Sequence, residues 1–446
     1  MPDGNCEEFR KRYARLLFWL VLGAVHIAFF YYQAIHGNMY MPPDSSEYLA
    51  EASNIRSRGI FYAGDTASAL SPELYTRRPP AYPLFIAALQ TVYPGDITVI
   101  LAQSLLSLLN VYLLTNMLRA FGAPALYTVL VAILLTPSQF IYANMIMSEM
   151  LFQTMILAAF YSLWRLLRKP SFIPLAAYTL FTMLAMLVKP VFYLFAAPNA
   201  LLALYLGWKH RKVFYAPMAA FPFFCILTVS AWNYNRTGCF EYSSIAAENL
   251  LQYNTHLFLV STRGAEYADA KIAEIEKEAS AISDYAARQR FLLVSGRAIV
   301  LEHPLRYAVY HIKGTVNFFL DPGRFDIYRF FNIRNPENNG FQYYYHKEGF
   351  AGIFKHLMRQ PLLIILTLFL ILAVNVVKTI SVISFIANKS IDANLRLVFV
   401  LFVGYLAFIT GPLGSSRFAT AALPLVLFTL PFFAVQARGI LCGRKS

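Results

Sequence analysis

Six ionisable residues sit where apolar stretches of this chain meet its loops: Asp44, Arg77, Arg78, Glu149, Lys189 and Arg417. Asp44 opens a predicted helix in Pro42-Pro43-Asp44-Ser45-Ser46-Glu47-Tyr48, with Tyr48 one turn later on the same face. It could take a proton from an acceptor, or only cap that helix. Arg77-Arg78-Pro79-Pro80-Ala81-Tyr82-Pro83 brings two cations to a rigid turn beneath an apolar segment. Forked guanidinium donors match phosphate oxygens, although solvated charge or contact with anionic lipid would give the same pattern. Glu149 follows Ser148 at the mouth of a span, where an acid is costly and points to function. Lys189-Pro190 occupies a tight turn between two spans, and its lysine either snorkels to lipid phosphates or joins the site. Arg417 follows Gly411-Pro412-Leu413-Gly414-Ser415-Ser416 at the end of another span. Together the six suit acid–base chemistry on a phosphate-bearing lipid.

The elements that must position them are membrane helices. The chain has 446 residues, of which 58% are hydrophobic and 14% charged, against about one quarter charged in an ordinary soluble domain. A span needs about 20 mostly apolar residues. Such windows are predicted at 16–35, 97–118, 124–143, 149–167, 172–188, 190–207, 213–232, 361–385, 395–411 and 417–437. The net charge of +14 suggests a nucleic-acid binder until its distribution is considered. Arg10, Lys11, Arg12 and Arg15, then Arg165, Arg168 and Lys169, then Lys209, Arg211 and Lys212, then Arg438, Arg444 and Lys445 gather at one set of span ends. This is the positive-inside pattern, which puts the six site residues on the outer face. Trp19, Trp164, Trp208 and Trp232 fall at span ends, as an interfacial belt requires. Of the four cysteines Cys6 and Cys442 are expected on the cytoplasmic side and Cys225 within a span, which leaves only Cys239 near the outside and no disulfide framework.

The expected organisation is a transmembrane module over 1–232, carrying the catalytic outer loop 36–96, then an extracytoplasmic domain over 233–360, then a second transmembrane module over 361–446. Within the loop, 81–92 is apolar but too short to span and reads as an interfacial or re-entrant helix. The outer domain is expected to hold a charged helical run from Ala265 to Leu301, then irregular sequence rich in Pro, Gly, Asn and Tyr up to Lys355. No Gly-rich nucleotide loop occurs, so outer-face chemistry would need a substrate delivered within the membrane.

In these motifs the chain resembles the multi-spanning GT-C glycosyltransferases, in the branch of protein O-mannosyltransferases and the bacterial lipid A aminoarabinose transferase. The resemblance covers nearly the whole chain. It rests on Asp44 with Tyr48, Arg78 to Pro83, Ser148-Glu149, Lys189-Pro190, Asn233 to Gly238 leading to Ser243-Ser244 and Glu248, His303 to Tyr307 with Lys313, and Arg417-Phe418 with Pro424. It implies an all-α polytopic fold with about ten transmembrane helices and a small, mainly helical extracytoplasmic domain. It also implies transfer of a sugar from a polyprenyl-phosphate carrier to a glycan, lipid or protein acceptor, with inversion. In that scheme Asp44 is general base or orients the acceptor, and Glu149 is a second acid. Arg77, Arg78, Lys189 and Arg417, with Tyr48 and Tyr82, hold the lipid phosphate. Asp44 and Glu149 would bind a divalent cation (Mg, Mn or Zn) where the family uses one. The aminoarabinose transferase has an acid just before its basic-Pro-Pro motif and this chain has Arg77 there, which leaves metal dependence open.

The expected location is a bacterial cytoplasmic (inner) membrane with the site facing outwards, with membrane lipids as partners and no nucleic acid. The rival from another class is a secondary transporter or flippase of lipid-linked sugars. Transporters favour inverted repeats and broken helices at mid-membrane, whereas these charges cluster at span ends.

Overall fold

The computed structural model describes residues 3–36, 39–41, 43–121, 126–333, 351–352, 354–355 and 358–441, with 3–11, 126 and 436–441 described through the backbone alone. Pro42, Cys442, Arg444, Lys445 and the Tyr-rich stretch 334–350 lie outside these residues. The described chain contains helices and no strand.

Its first half comprises α1 (Asp3–His36), α2 (Asp44–Arg58), α3 (Ala81–Val92), α4 (Asp96–Ala120), α5 (Leu126–Leu134), α6 (Ser138–Ala143), α7 (Glu149–Arg168), α8 (Phe172–Val188), α9 (Ala196–His210) and α10 (Ala216–Thr237). The second half comprises α11 (Ile245–Glu248), α12 (His256–Arg263), α13 (Ala265–Ser280), α14 (Tyr285–Glu302), α15 (Pro304–Leu320), α16 (Arg324–Phe330), α17 (Leu362–Ala387), α18 (Ala393–Phe399), α19 (Tyr405–Thr410) and α20 (Ser416–Leu441). Among the described residues eight helical stretches are long and apolar enough to cross a membrane, so this is a multi-pass membrane protein. The ten expected spans and these eight stretches differ at two places. The stretch 124–143 is not one helix: Pro137 has no N–H to donate and disfavours helical backbone at Thr136, so the chain breaks there into α5 and α6. The stretch 172–188 is a single apolar helix of 17 residues, shorter than the eight.

Helices α7 and α20 form the centre of the bundle. Of their most apolar windows 72% and 67% are buried, against 17% for α1 and 22% for α17, which turn leucines and isoleucines outward as lipid-facing helices do. A ladder of amides fixes the central register. Gln139 and Gln153 exchange hydrogen bonds, Asn110 Nδ2 donates to Gln153 Oε1 at 2.8 Å, and Gln153 Nε2 donates to the Thr420 carbonyl at 2.5 Å. His26 Nε2 and Gln139 Nε2 both meet Ser107 Oγ at 2.8 Å, tying α1 and α6 to α4. Interhelical hydrogen bonds of this kind are worth only about 0.6 to 2 kcal/mol each in a membrane, but they admit one sliding register. That register matters because Gln153 lies one turn beyond Glu149, and Thr420 lies three residues beyond Arg417.

The segment 304–330 departs from expectation most. It was predicted as irregular sequence in a separate outer domain, yet α15 is a helix packed against α17, α19, α20 and the turn Gly411–Leu413, and α16 packs on α6. Asn375 Nδ2 donates to the Asp321 carbonyl at 2.9 Å. Asn375 is the fourteenth residue of α17, about 20 Å along its axis by helical rise. The 304–330 hairpin therefore packs against the helices of the bundle. Helices α13 and α14 match the charged run expected there, with a break at 281–284.

Gly314 explains how α15 comes so close. A Cβ at this position would lie 2.5 Å from Pro412 Cα and 2.7 Å from the Gly411 carbonyl oxygen, both of them backbone. Alanine would gain about 1 kcal/mol in helix propensity and lose about 1 to 3 kcal/mol or more to overpacking. We expect Gly314→Ala to lower the thermal midpoint; a raised midpoint would contradict the contact.

Candidate active site

Each site residue occupies the end of an element. Pro43 precedes α2, whose first turn carries Asp44 and Glu47, acids suited to a helix N-terminus. Arg77 and Arg78 precede Pro79-Pro80 and α3, Glu149 is the first residue of α7, Lys189 joins α8 to the 3-10 turn Pro190–Phe195, and Arg417 is the second residue of α20. The fold brings these ends to one face of the bundle, here the site face.

There they form a single chain of alternating charge. Glu248 Oε2 meets Arg77 Nη1 at 2.6 Å, and Arg77 Nε lies 2.9 Å from Glu47 Oε1. Arg78 Nε donates to Glu47 Oε2 at 2.6 Å, and Arg78 Nη2 donates to Asp44 Oδ1. Arg417 Nη2 donates to Asp44 Oδ2 at 2.5 Å, while its Nε donates to Glu149 Oε1 at 2.7 Å. Lys189 Nζ donates to that same Glu149 oxygen at 2.7 Å. Four acids alternate with four cations, so the chain is neutral as a unit.

Three bland readings of the sequence fail here. Asp44 makes no helix-capping hydrogen bond, because both carboxylate oxygens are taken by arginines. Arg78 is 7% exposed and is no solvated charge. Lys189 is also 7% exposed and is held between Glu149 and the rings of Phe152 and Phe418, so it does not snorkel. Burial pushes the Asp44 carboxyl upward, but the Arg417 and Arg78 guanidiniums outweigh it and hold the group well below the usual carboxylate range.

The tyrosines sit below the cations. Arg78 lies 4.8 Å from the Tyr48 ring centre, Tyr48 donates to Ser148 Oγ at 3.3 Å, and Tyr82 packs edge-on against Tyr48 while donating to Gln103 Oε1 at 2.5 Å. Both rings are buried; Tyr48 lies against Arg78, and Tyr82 backs Tyr48. Arg417 is aimed by the 304–330 hairpin, where Asp321 Oδ2 accepts from the Ser416 amide at 2.8 Å and Asp326 accepts from Ser416 Oγ. Ser243 Oγ and Ser244 Oγ donate to the carbonyls of Arg77 and Glu73 at 2.9 Å each, stitching the 233–250 segment onto the first loop.

The donor set does not fit the expected divalent cation. Asp44 has both oxygens on arginines, and Arg417 bridges Asp44 and Glu149 where an ion shared by them would sit. What remains is Glu149 Oε2, buried without a hydrogen bond beside two cationic side chains. Among the described residues no three His, Cys, Asp or Glu side chains come together as a metal site.

Sequence reasoning assigned no role to Glu47, which joins both arginines, or to Glu51. Spacing could have found them, since Asp44, Glu47 and Glu51 share one face of α2 at i, i+3 and i+7. Glu51 is 2% exposed with Oε2 unpartnered. Burial pushes its carboxyl up to about 8, with Arg236 and Arg78 opposing and Glu47 assisting. A raised folded-state value means the folded protein holds the proton more tightly. Glu51's contribution to stability is then fully present below about pH 4.5 and is lost as pH rises to about 8, by on the order of 5 kcal/mol. Glu51→Gln should abolish that slope, matching wild type in thermal midpoint at pH 4.5 and exceeding it at pH 8.5. Parallel midpoint–pH curves would contradict this.

No protein-family model and no curated protein sequence matches the chain. Among solved structures it is similar to ArnT from Cupriavidus metallidurans bound to undecaprenyl phosphate, at 14% identity and a TM-score of 0.39, over 92% of this chain and 76% of that one. A likeness at that level assigns no residue role and no activity to this chain.

Proposed function

We propose that the protein is a GT-C-type glycosyltransferase that moves a sugar from a polyprenyl-phosphate carrier to a glycan, lipid or protein acceptor at the site face, with inversion. The observation that carries this reading is the Asp44 carboxylate, which serves no structural cap and is clamped between the buried Arg78 and the partly exposed Arg417 at the mouth of an apolar bundle. Asp44 in that clamp is a weak base. A carrier phosphate competes for the same guanidiniums, and when it takes Arg417 or Arg78 it frees Asp44 to accept a proton. The acceptor oxygen then attacks the anomeric carbon from the face opposite the phosphate, its proton passes to Asp44, and the carbon–oxygen bond to phosphate breaks. The electron pair leaves with polyprenyl phosphate, where Arg78, Arg417 and Lys189 meet the developing charge in a water-poor cleft. Glu149 holds Arg417 and Lys189 in place. Arg165, Arg168, Lys169, Lys209, Arg211 and Lys212 fall at helix ends away from Glu149, which supports a site face turned outward from a bacterial cytoplasmic membrane.

Binding tests the clamp. A charge-assisted contact is worth about 1.5 to 3 kcal/mol, so Arg78→Gln and Lys189→Gln should each weaken undecaprenyl phosphate binding about tenfold to a hundredfold. Arg211→Gln should leave it unchanged. Wild-type affinity in both site variants would refute the clamp.

A further inference from the structure

A second cavity opens beside the ion chain and shares Arg77 and Glu248 with it. It measures about 580 Å³ and lies between the first loop, the 244–252 segment and helices α13 and α14. That volume is in the range of small-molecule sites. Its walls are joined by specific bonds: Ser244 Oγ to the Glu73 carbonyl at 2.9 Å, Gln252 Nε2 to Glu276 Oε1 at 2.5 Å, and Glu248 to Arg77 at 2.6 Å. Gln289 on α14 lines it, is 5% exposed, and has its side-chain oxygen unmet by any donor. A buried acceptor without a partner is costly to the fold, and a ligand donor that the Gln289 amide turned to meet would relieve that cost.

The lining chemistry selects among ligands. Three carboxylates, Glu73, Glu248 and Glu276, face two guanidiniums, Arg77 and Arg288, so an anion meets net repulsion. Carboxylates and amide oxygens accept from hydroxyl and amino groups, while Ala247, Leu251, Ala279 and Leu292 supply apolar surface for a ring face.

We infer that this cavity binds a saccharide bearing no negative charge, either neutral or amino-substituted, through Gln289 and Glu73. The inference deepens the glycosyltransferase reading by naming a substrate class, and the ion pairs of Arg77 with Glu47, Glu47 with Arg78 and Arg78 with Asp44 tie the wall of the cavity to the site. The saccharide could belong to the acceptor or to the donor.

Saturation-transfer difference NMR on the purified full chain in lipid nanodiscs separates these cases. The probes are the methyl glycosides of glucose, mannose, galactose, glucosamine and N-acetylglucosamine, with methyl glucuronide as the anionic control. At least one neutral or amino probe should give signal, and the glucuronide none. Gln289→Leu should fold with a thermal midpoint at or above wild type, because it removes an unmet acceptor, and should lose the signal at least fivefold. Glu73→Gln should lose it severalfold, and Asp44→Asn should keep it. Displacement by an undecaprenyl-phosphate sugar would assign the cavity to the donor's sugar, and persistence of the signal in its presence would assign it to the acceptor. No signal from any neutral or amino probe at 10 mM, on the order of weak-site concentrations, would overturn the inference, as would a signal unchanged in Gln289→Leu and Glu73→Gln. Glycoside binding without sugar transfer would leave it standing while the glycosyltransferase reading fell.

Discussion

Asp44→Asn should fold, insert and bind undecaprenyl phosphate at least as tightly as wild type, yet transfer sugar at least about a hundredfold more slowly. Asparagine keeps the shape and the capping ability of aspartate, and α2 does not use Asp44 as a cap. What the change removes is the negative charge shared by Arg78 and Arg417, and with it the proton acceptor. Both cations gain freedom to meet a phosphate, so affinity holds while turnover falls. Near wild-type turnover in purified Asp44→Asn would remove Asp44 from the chemistry.

Lys189→Met should be among the most destabilising single changes in the protein, by about 3 to 5 kcal/mol, because it leaves a buried carboxylate short of one of its two cations. Glu149 is fully buried and already carries one unmet oxygen. The double variant Lys189→Met with Glu149→Gln should recover most of that loss, since it removes both charges together. Thermal unfolding of the two single variants and the double variant checks this, and additive losses would show that the two side chains do not act as a pair. Transfer activity should stay low in the double variant even as stability returns, because Lys189 and the carboxylate that aims Arg417 are both gone.

The candidate site was legible in the sequence at the level of membership. Charges are costly at the mouths of apolar helices, so Asp44, Arg78, Glu149, Lys189 and Arg417 stood out by placement, and all five meet in one network. Their pairing was not legible. Arg417 meets Glu149 across 268 positions only because Gln153 and Thr420 lock α7 to α20 in one register, and no local pattern encodes that. Glu47 and Glu51 were visible as a stripe on α2, but an acidic stripe on a loop helix is ordinarily a solvated face. The fold was legible where apolar runs were long and unbroken. It was less legible at Pro137, where one predicted helix breaks into two, and at 304–330, where Pro, Gly and Asn suggested a loop. There the glycine serves close helix packing: Gly314 lets α15 touch the Gly411–Leu413 turn, and the hairpin it carries aims Arg417 through Ser416.

The central claim is carrier-dependent sugar transfer that requires Asp44. It is tested most directly by incubating the purified protein with radiolabelled polyprenyl-phosphate sugars and extracted envelope material, then measuring labelled product and released polyprenyl phosphate together. Equal amounts of both are expected from at least one donor, with loss of both in Asp44→Asn. No release from any donor, with labelled lipid instead crossing the bilayer of protein-containing vesicles intact, would contradict it and make the protein a flippase.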